Sequence, residues 1–446
     1  MKSINISKIM NGAWLERALY TAEERGIPAF ADGLKPVQRF LICKALKAAK
    51  NQFEKVATIA TIATEGYHHG EASSAAALIG MAADYSNNLP IFEGDGNFGN
   101  VLDPSPGAPR YIYAKLSSLF ELLYKDQELC PAADDPEHIP PKYYLPIIPM
   151  VLINGIKGIA TGYATDIPPH DPISVIDWLI ERTKTEKPKT PINPKYYGFS
   201  GTVTKGSDHY RLSGTYEFSG ANKIRITELP RGTTCASYDS LLKKLQEKGV
   251  IVDYDNRSRM NQFDYLVTFR RGTKLDDAEI RKILRLDINH TWNLTTVSLE
   301  GKIQEWSKTT GIQDIAEAFY GFRLPYVAER IRRVLERLEE QERYLSALRK
   351  FCSDIIESKF SFKGITDEEL SRLLLEEYKA PESSVQKIMN MPVRTFTVQK
   401  IQKIDAELQE TKDSIDYYRK TSPEAEYTKD LSELKKAYKK YTTENA

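Results

Sequence analysis

The strongest constraint on the fold is a pair of apolar seams near the C-terminus. Val327, Ile331, Val334, Leu338, Gln341, Leu345, Leu348, Cys352 and Ile355 fall at alternating steps of four and three residues, and Ile401, Ile404, Leu408, Thr411, Ile415 and Tyr418 repeat the pattern. Such a stripe must be covered by another helix, because its apolar positions face one side only. Between the seams lies SFKGITDEELSRLLLEEYKAPESSVQKIMNMPVRTF, long enough for the chain to reverse. The pattern therefore predicts two antiparallel helical arms in one chain, with a small helical knob at about 360–395. Leu370, Leu373, Leu374, Leu375, Ile388, Met389 and Met391 give that knob more apolar surface than it can bury alone, which predicts a contact between two copies there. The competing arrangement is a parallel coiled-coil dimer along the whole seam.

At 446 residues the chain exceeds what one core usually serves. We expect a multidomain α+β protein: an N-terminal arm over 1–30, a first domain over 31–170, a second over 171–315 and the helical arms over 316–446. Hydrophobic residues make up 41% and charged residues 28%, an ordinary globular balance, and no apolar run approaches the roughly 18 residues of a membrane span. No membrane partner is expected. The opening MKSINISKIMNGAW lacks the apolar stretch of a secretion signal, and Cys43, Cys130, Cys235 and Cys352 stand far apart, so a reducing cytoplasmic setting is expected. A net charge of +1 carries no global signature of a nucleic-acid binder, but the first sixty residues hold Lys2, Lys8, Arg17, Arg25, Lys35, Arg39, Lys44, Lys47, Lys50 and Lys55 against Glu16, Glu23, Glu24, Asp32 and Glu54.

PVQRFLICKALKAAKNQ reads as a helix starting at about Pro36, and SSAAALIGMAADY as a second. Then comes GDGNFGNVLDPSPGAPRY, too rich in Gly and Pro for a regular element and longer than a passive connection. GDGNFG matches the dinucleotide fingerprint GxGxxG, but that motif needs a helix opening directly after the glycines, which Pro104, Pro106 and Pro109 forbid. No GxxxxGK[ST] occurs, so ATP hydrolysis by this chain alone is not expected. Six histidines show no metal-binding spacing, and the acidic Glu93, Asp95 and Asp103 are scattered, so no metal site is expected from this chain. From about 171 a helix in PISVIDWLIERTK and alternating runs YRLSGTYEF, NKIRITEL and QFDYLVTFRR mark the second domain.

Taken singly, Arg110-Tyr111 is one tyrosine among 25, His68-His69 reads as partly buried polar residues, and Ile159 reads as core. Taken together, five strings resemble one family. ADGLKPVQRFLICKAL is similar to the DGLKPVxRR segment that opens the cleavage domain of type IIA DNA topoisomerases, and GYHHGEASSAAALIGMA to their YHHGE or YHPHGD segment. EGDGNFGNVLD resembles their DGQGNFGS loop, PRYIYAKL their RYIYTEL nucleophile segment, and IPMVLINGIKGIATGYATDIPPHDPISVI their long NGxxGIxxGxxxxIP motif. All five occur in the family's order, and ITELP and KIMNMPV extend the likeness more weakly. The short chain, with no wrapping domain after the second seam, resembles the medium subunits of T-even-type phage enzymes.

The resemblance implies a winged-helix cleavage domain, an α/β tower and a coiled coil ending in a dimerisation knob. It implies that Tyr111 is the transesterifying nucleophile and Arg110 its preceding arginine, whereas Tyr113 falls where no nucleophile sits. Arg25, Lys35, Arg39, His68 and His69 match positions that hold phosphates, and Ile159 matches an isoleucine that wedges between bases. Gln38 stands where some relatives have histidine, and Phe40 replaces a frequent arginine. The implied partners are double-stranded DNA, a second copy of the chain, and an ATPase/TOPRIM large subunit that binds Mg²⁺ and ATP. The chemistry suits the residues: a phenol, with an ordinary pKa of about 10, needs a cationic neighbour to attack phosphorus at neutral pH, and Arg110 is the nearest candidate. Two other classes compete. One is a DNA-bridging coiled-coil scaffold without catalysis, against which the five strings argue; the other is a tyrosine recombinase or relaxase, whose Arg/His or His-cluster spacings are absent.

Overall fold

The computed structural model describes residues 7, 10–65, 70–134, 139–272, 276–392 and 397–444. Contacts gather the chain into two compact units, residues 1–323 with 428–446, and residues 324–427.

In the first unit, α1 (Leu15–Thr21) runs into a wider turn over Ala22–Gly26. α2 (Pro36–Ala48) starts as expected at its proline, whose missing N–H is no loss in a first turn, and Gln38 Oε1 accepts the Lys35 N–H at 2.8 Å. A short strand β1 (Glu54–Lys55) precedes α3 (Val56–Ala63) and α4 (Glu71–Ala82). β2 (Phe92–Asp95) and β3 (Tyr113–Leu116) complete a three-stranded antiparallel sheet in the order β1-β3-β2. Phe40, Leu41, Val56, Ile59, Leu78 and Phe92 are buried in this region. A hairpin follows, β4 (Ile156–Ala160) against β5 (Tyr163–Ile167), closed by Thr161 and a Gly162 that takes φ +83°.

α5 (Pro172–Arg182) is capped by Asp171, whose side chain accepts the Ser174 N–H at 3.1 Å. β6 (Thr202–Lys205) lies outside the alternating runs, which themselves become strands, beginning with β7 (His209–Ser213), β8 (Thr215–Phe218) and β9 (Lys223–Glu228). After α6 (Cys235–Glu247) come β10 (Ile251–Asn256), β11 (Tyr265–Phe269), α7 (Asp277–Ile283), β12 (Asp287–Thr291), β13 (Thr295–Val297) and β14 (Ile303–Glu305). One sheet has the order β10-β11-β9-β8, with Ile226, Tyr238, Leu242, Tyr265 and Val267 buried in its core, and another has the order β12-β7-β6. The boundary expected at 170 separates no compact unit. Asp166 and Asn293 exchange backbone hydrogen bonds, and the Phe30 N–H donates to Val297 O, which stitches the second half into the first.

In the second unit, α8 (Gly311–Ile356), which begins in the first, is followed by α9 (Asp367–Glu376), α10 (Glu382–Met389) and α11 (Val398–Lys420). Arg349 pairs with Asp405 and Arg419 with Glu339, so α8 and α11 run antiparallel. Leu345, Leu348 and Cys352 of the first seam pack with Leu370, Leu374, Val385, Ile388 and Ile404 in one cluster.

The arms end earlier than the expected 446. α12 (Pro423–Glu444), which the seam pattern does not separate from the second arm, returns most of its length to the first unit. Leu431, Leu434 and Tyr438 are buried, the Tyr438 hydroxyl donates to Asn88 O at 3.0 Å, and Asp430 pairs with Lys125 at 2.6 Å. Among the described residues no helix is long and apolar enough to cross a membrane.

Candidate active site

The Gly/Pro-rich loop is ordered by its own short side chains. Asn100 Oδ1 accepts from the Leu102 and Asp103 N–H groups, Asn97 Oδ1 from Gly99 N–H, and Asp103 Oδ1 from Ser105 N–H. Gly99 takes φ +82°, and a Cβ there would lie 2.7 Å from Pro104 O, so glycine is required. The loop delivers the chain to a turn at Tyr111 that is fixed from below by a helix end. The first N–H groups of α3, which have no partner inside the helix, donate from Val56 to Ile112 O at 3.0 Å and from Ala57 to Pro109 O at 3.1 Å. Ile112 is buried, so its neighbour Tyr111 points outward and is 69% exposed. The Arg110 guanidinium lies 4.9 Å from the centre of the Tyr111 ring, and both side chains are exposed. Tyr113 differs in kind: it is a strand residue, paired across the sheet with Lys55 and Asp95.

A second group forms around the β4–β5 hairpin. Ile159 is 87% exposed, the opposite of a core isoleucine. Its neighbour Gly158 faces inward, where a Cβ would lie 1.8 Å from Gly26 O; only two glycines allow the hairpin and the turn carrying Arg25 to meet. Arg25 is exposed beside this contact. Lys35 reaches the same hairpin, its Nζ donating to Lys157 O at 2.8 Å, and burial holds its ammonium below the usual lysine value. Arg25, Lys35 and Ile159 are thus brought to one structure, while Arg110 and Tyr111 are held by another.

Arg39 departs from the expected phosphate contact. Its side chain turns inward, Nε donating to Asp32 Oδ2 at 2.7 Å and Nη2 to Oδ1 at 3.0 Å and to Leu34 O at 3.3 Å. Asp32 is fully buried and also accepts the Leu34 and Tyr144 N–H groups. A buried carboxylate demands a cation, and Arg39 serves it, which positions the turn before α2. His68 and His69 lie outside the described residues.

Sequence reasoning missed a polar chain beneath the hairpin. His290 Nε2 lies 2.7 Å from Asp166 Oδ1, His290 Nδ1 lies 2.7 Å from the Tyr196 hydroxyl, and Lys157 Nζ pairs with Asp166 at 3.0 Å. Burial pushes the Asp166 carboxyl up, but His290 and Lys157 outweigh it and hold the carboxyl below its usual value. No local pattern reveals this chain, because Tyr196 and Asp166 lie 94 and 124 residues from His290 and Lys157 meets Asp166 only across the β4–β5 pairing. Among the described residues no three His, Cys, Asp or Glu side chains converge as a metal site. Glu93 pairs with Lys115 at 3.2 Å and accepts the Ser118 N–H, while Asp103 serves its own loop.

The structure thus presents an exposed, arginine-flanked tyrosine and an exposed isoleucine hairpin, and the comparisons give the family. The family model for the A subunits of DNA gyrase and topoisomerase IV matches residues 25–435. The DNA topoisomerase medium subunit of Enterobacteria phage T4 is 36% identical over 442 residues, covering 97% of this chain and 99% of that one. The mitochondrial DNA topoisomerase 2 of Dictyostelium discoideum is 29% identical over 94% of this chain, which spans only 34% of that enzyme. The solved DNA-binding, cleavage and re-ligation domain of Plasmodium falciparum topoisomerase II superposes with a TM-score of 0.83 at 25% identity, over 100% of this chain and 66% of that one. With a family model across nearly its whole length and a relative matched almost end to end, the chain belongs to the family of DNA gyrase and topoisomerase IV A subunits.

Proposed function

We propose that Tyr111 is the nucleophile with which this type II topoisomerase subunit breaks and rejoins DNA. The observation that carries the reading is the Tyr111 turn: an exposed phenol under an arginine, on a backbone held by the free N–H groups of α3. The phenol oxygen gives up its proton and bonds to phosphorus as the phosphorus–oxygen bond to the sugar breaks, leaving a sugar hydroxyl. One ester replaces another, so the hydroxyl can reverse the step without an external energy source. Arg110 answers charge that gathers on the phosphoryl oxygens. Arg25 and Lys35 grip neighbouring phosphates, and His68 and His69 are assigned to the same task on resemblance alone. Ile159 enters between base pairs, unstacking a step at a cost of about a few kcal/mol that wider contact with the bent duplex offsets.

In this reading the helices and sheet around Tyr111 form a winged-helix cleavage domain, the strands from β6 to β14 a tower, and α8 with α11 a coiled coil whose knob joins two copies. Enzymes of this family use Mg²⁺ and ATP; on the resemblance alone both are assigned to an ATPase/TOPRIM partner, and no step of this chain runs through them. The reaction is relaxation or decatenation by duplex passage, in the cytoplasm of the cell that holds the DNA. The test mixes the chain with its ATPase partner, Mg²⁺ and supercoiled plasmid, traps with detergent and maps the protein-linked DNA. A peptide adduct on Tyr111 supports the reading; an adduct on Tyr113, or efficient Mg²⁺-dependent cleavage without the partner, overturns it.

A further inference from the structure

A cleft of about 710 Å³ opens among the base of the β4–β5 hairpin, the loop that runs toward Tyr111, and strand β12. Its lining includes Asn100, Pro104, Lys157, Arg231, Thr234 and His290. Arg231 is the unexplained member. Its guanidinium lies 5.9 Å from the centre of the Tyr85 ring, yet among the described residues it makes no hydrogen bond and no salt bridge. Burial lowers its pKa, with Tyr85 and Glu228 opposing more weakly.

The carboxylates that would ordinarily neutralise it are engaged elsewhere. Glu228 accepts the Ser200 N–H at 3.0 Å, the Ser200 hydroxyl at 2.7 Å and the Leu229 N–H at 3.1 Å. Asp166, the acidic residue of the cleft lining, is held by Lys157 at 3.0 Å and His290 at 2.7 Å. The fold therefore keeps a positive charge half withdrawn from water, lining open volume, with no carboxylate hydrogen-bonded to it among the described residues. Arginine cannot escape by losing its proton, so the desolvation is only weakly offset until an anion arrives. A planar fork of donors suits a phosphate, which it can bind through two parallel hydrogen bonds.

We propose that this cleft is a phosphate subsite for DNA, in which Arg231 takes a backbone phosphate of the duplex that Tyr111 cuts. The identity of the polyanion rests on the reading of Tyr111 given above; the anion site itself rests on the cleft. The subsite adds a grip that links the loop before the nucleophile to the base of the Ile159 hairpin, since residues of both line it.

The test compares the full-length wild type with Arg231→Met, which keeps an apolar stem, and Arg231→Lys, which keeps the charge. Melting is followed without DNA, and duplex affinity is measured across salt concentrations. Arg231→Met is expected to melt at or above the wild-type temperature, to bind duplex several-fold more weakly, and to show a log K against log salt slope shallower by about 0.9, one phosphate's share. Arg231→Lys should restore the slope but not all of the affinity. A lower melting temperature for Arg231→Met with an unchanged slope would overturn the proposal, because the guanidinium would then serve folding. Sodium pyrophosphate, titrated as a free anion, separates the sources: if it raises the melting temperature of the wild type but not of Arg231→Met while the duplex slope is the same in both, the cleft takes a free anion and the DNA assignment falls. Detergent trapping of the wild type with its ATPase partner runs alongside. No adduct at Tyr111 there defeats the nucleophile reading, whereas an adduct with unchanged Arg231→Met binding defeats only the subsite.

Discussion

Arg39→Met separates a structural arginine from a DNA-binding one. In the fold its guanidinium makes two hydrogen bonds to the Asp32 carboxylate, at 2.7 and 3.0 Å, and a third to Leu34 O at 3.3 Å. Methionine fills the space of the stem and removes the charge. Asp32 would then keep its two backbone donors, Leu34 and Tyr144, but no cation, while fully buried. Breaking a buried pair from one side costs about 3–5 kcal/mol. With a urea dependence of about 3 kcal/mol per molar, the unfolding midpoint should fall by roughly 1–1.7 M. Adding Asp32→Asn should recover part of the loss, since the two residues share one interaction and their effects do not add. Urea unfolding followed by tryptophan fluorescence and circular dichroism checks the stability, and duplex binding across salt checks the alternative. A midpoint unchanged within error, together with a salt slope shallower by about 0.9, would refute the inward assignment and return Arg39 to the phosphates.

Tyr111→Phe should abolish the covalent adduct while leaving duplex affinity within a few-fold, because it removes one oxygen and no phosphate contact; Tyr113→Phe should still form the adduct, and a reversed pattern defeats the assignment. Ile159→Ala should reduce DNA bending, read by fluorescence energy transfer between duplex ends, without altering the salt slope, since the wedge carries no charge; a shallower slope would point to lost ionic contacts. Gly158→Ala places a Cβ 1.8 Å from Gly26 O, well inside the roughly 3.3 Å of a close C···O contact, so it should destabilise by about 1–3 kcal/mol in thermal unfolding; an unchanged melting temperature means the hairpin is packed differently. His170 is fully buried between Leu152 O at 3.2 Å and the Tyr210 hydroxyl at 3.0 Å, and burial lowers its pKa to about 4. The unfolded chain then binds the proton first, so stability should fall as pH drops from about 6.5 toward 4, by up to roughly 3 kcal/mol; His170→Gln should flatten that decline, and an identical pH profile argues against the buried neutral ring.

Much of the architecture was legible because it is periodic. Alternating runs at 209–218, 223–228 and 265–269 became strands, and the seams became α8 and α11, since a one-sided apolar stripe leaves few ways to be buried. The unit boundaries were not legible. α12 carries Leu431, Leu434 and Tyr438 at helical spacing, like the seam before it, and nothing local tells which surface those residues cover. That choice is made by Asn88, Lys125 and Asp177, more than two hundred residues away, which receive Tyr438, Asp430 and Lys435.

The site divides along the same line. Tyr111 could be singled out only through the strings around it, yet its exposure has a local cause: Ile112 must be buried, and the α3 N–H groups fix the backbone on both sides of the tyrosine. Ile159 and Arg39 show the limit. Residue type predicts an isoleucine inside and an arginine outside, and both are inverted here. The inversion of Ile159 follows from strand alternation once Gly158 is committed to Gly26, and that of Arg39 follows once Asp32 is buried. Each commitment is a tertiary contact, invisible to periodicity but readable in the structure as a clash avoided or a charge satisfied. Arg231 extends the argument: at Asp32 the buried charge meets its partner and the pair serves the fold, whereas Arg231, half-buried and with no carboxylate hydrogen-bonded to it among the described residues, is where we propose that a ligand supplies the anion.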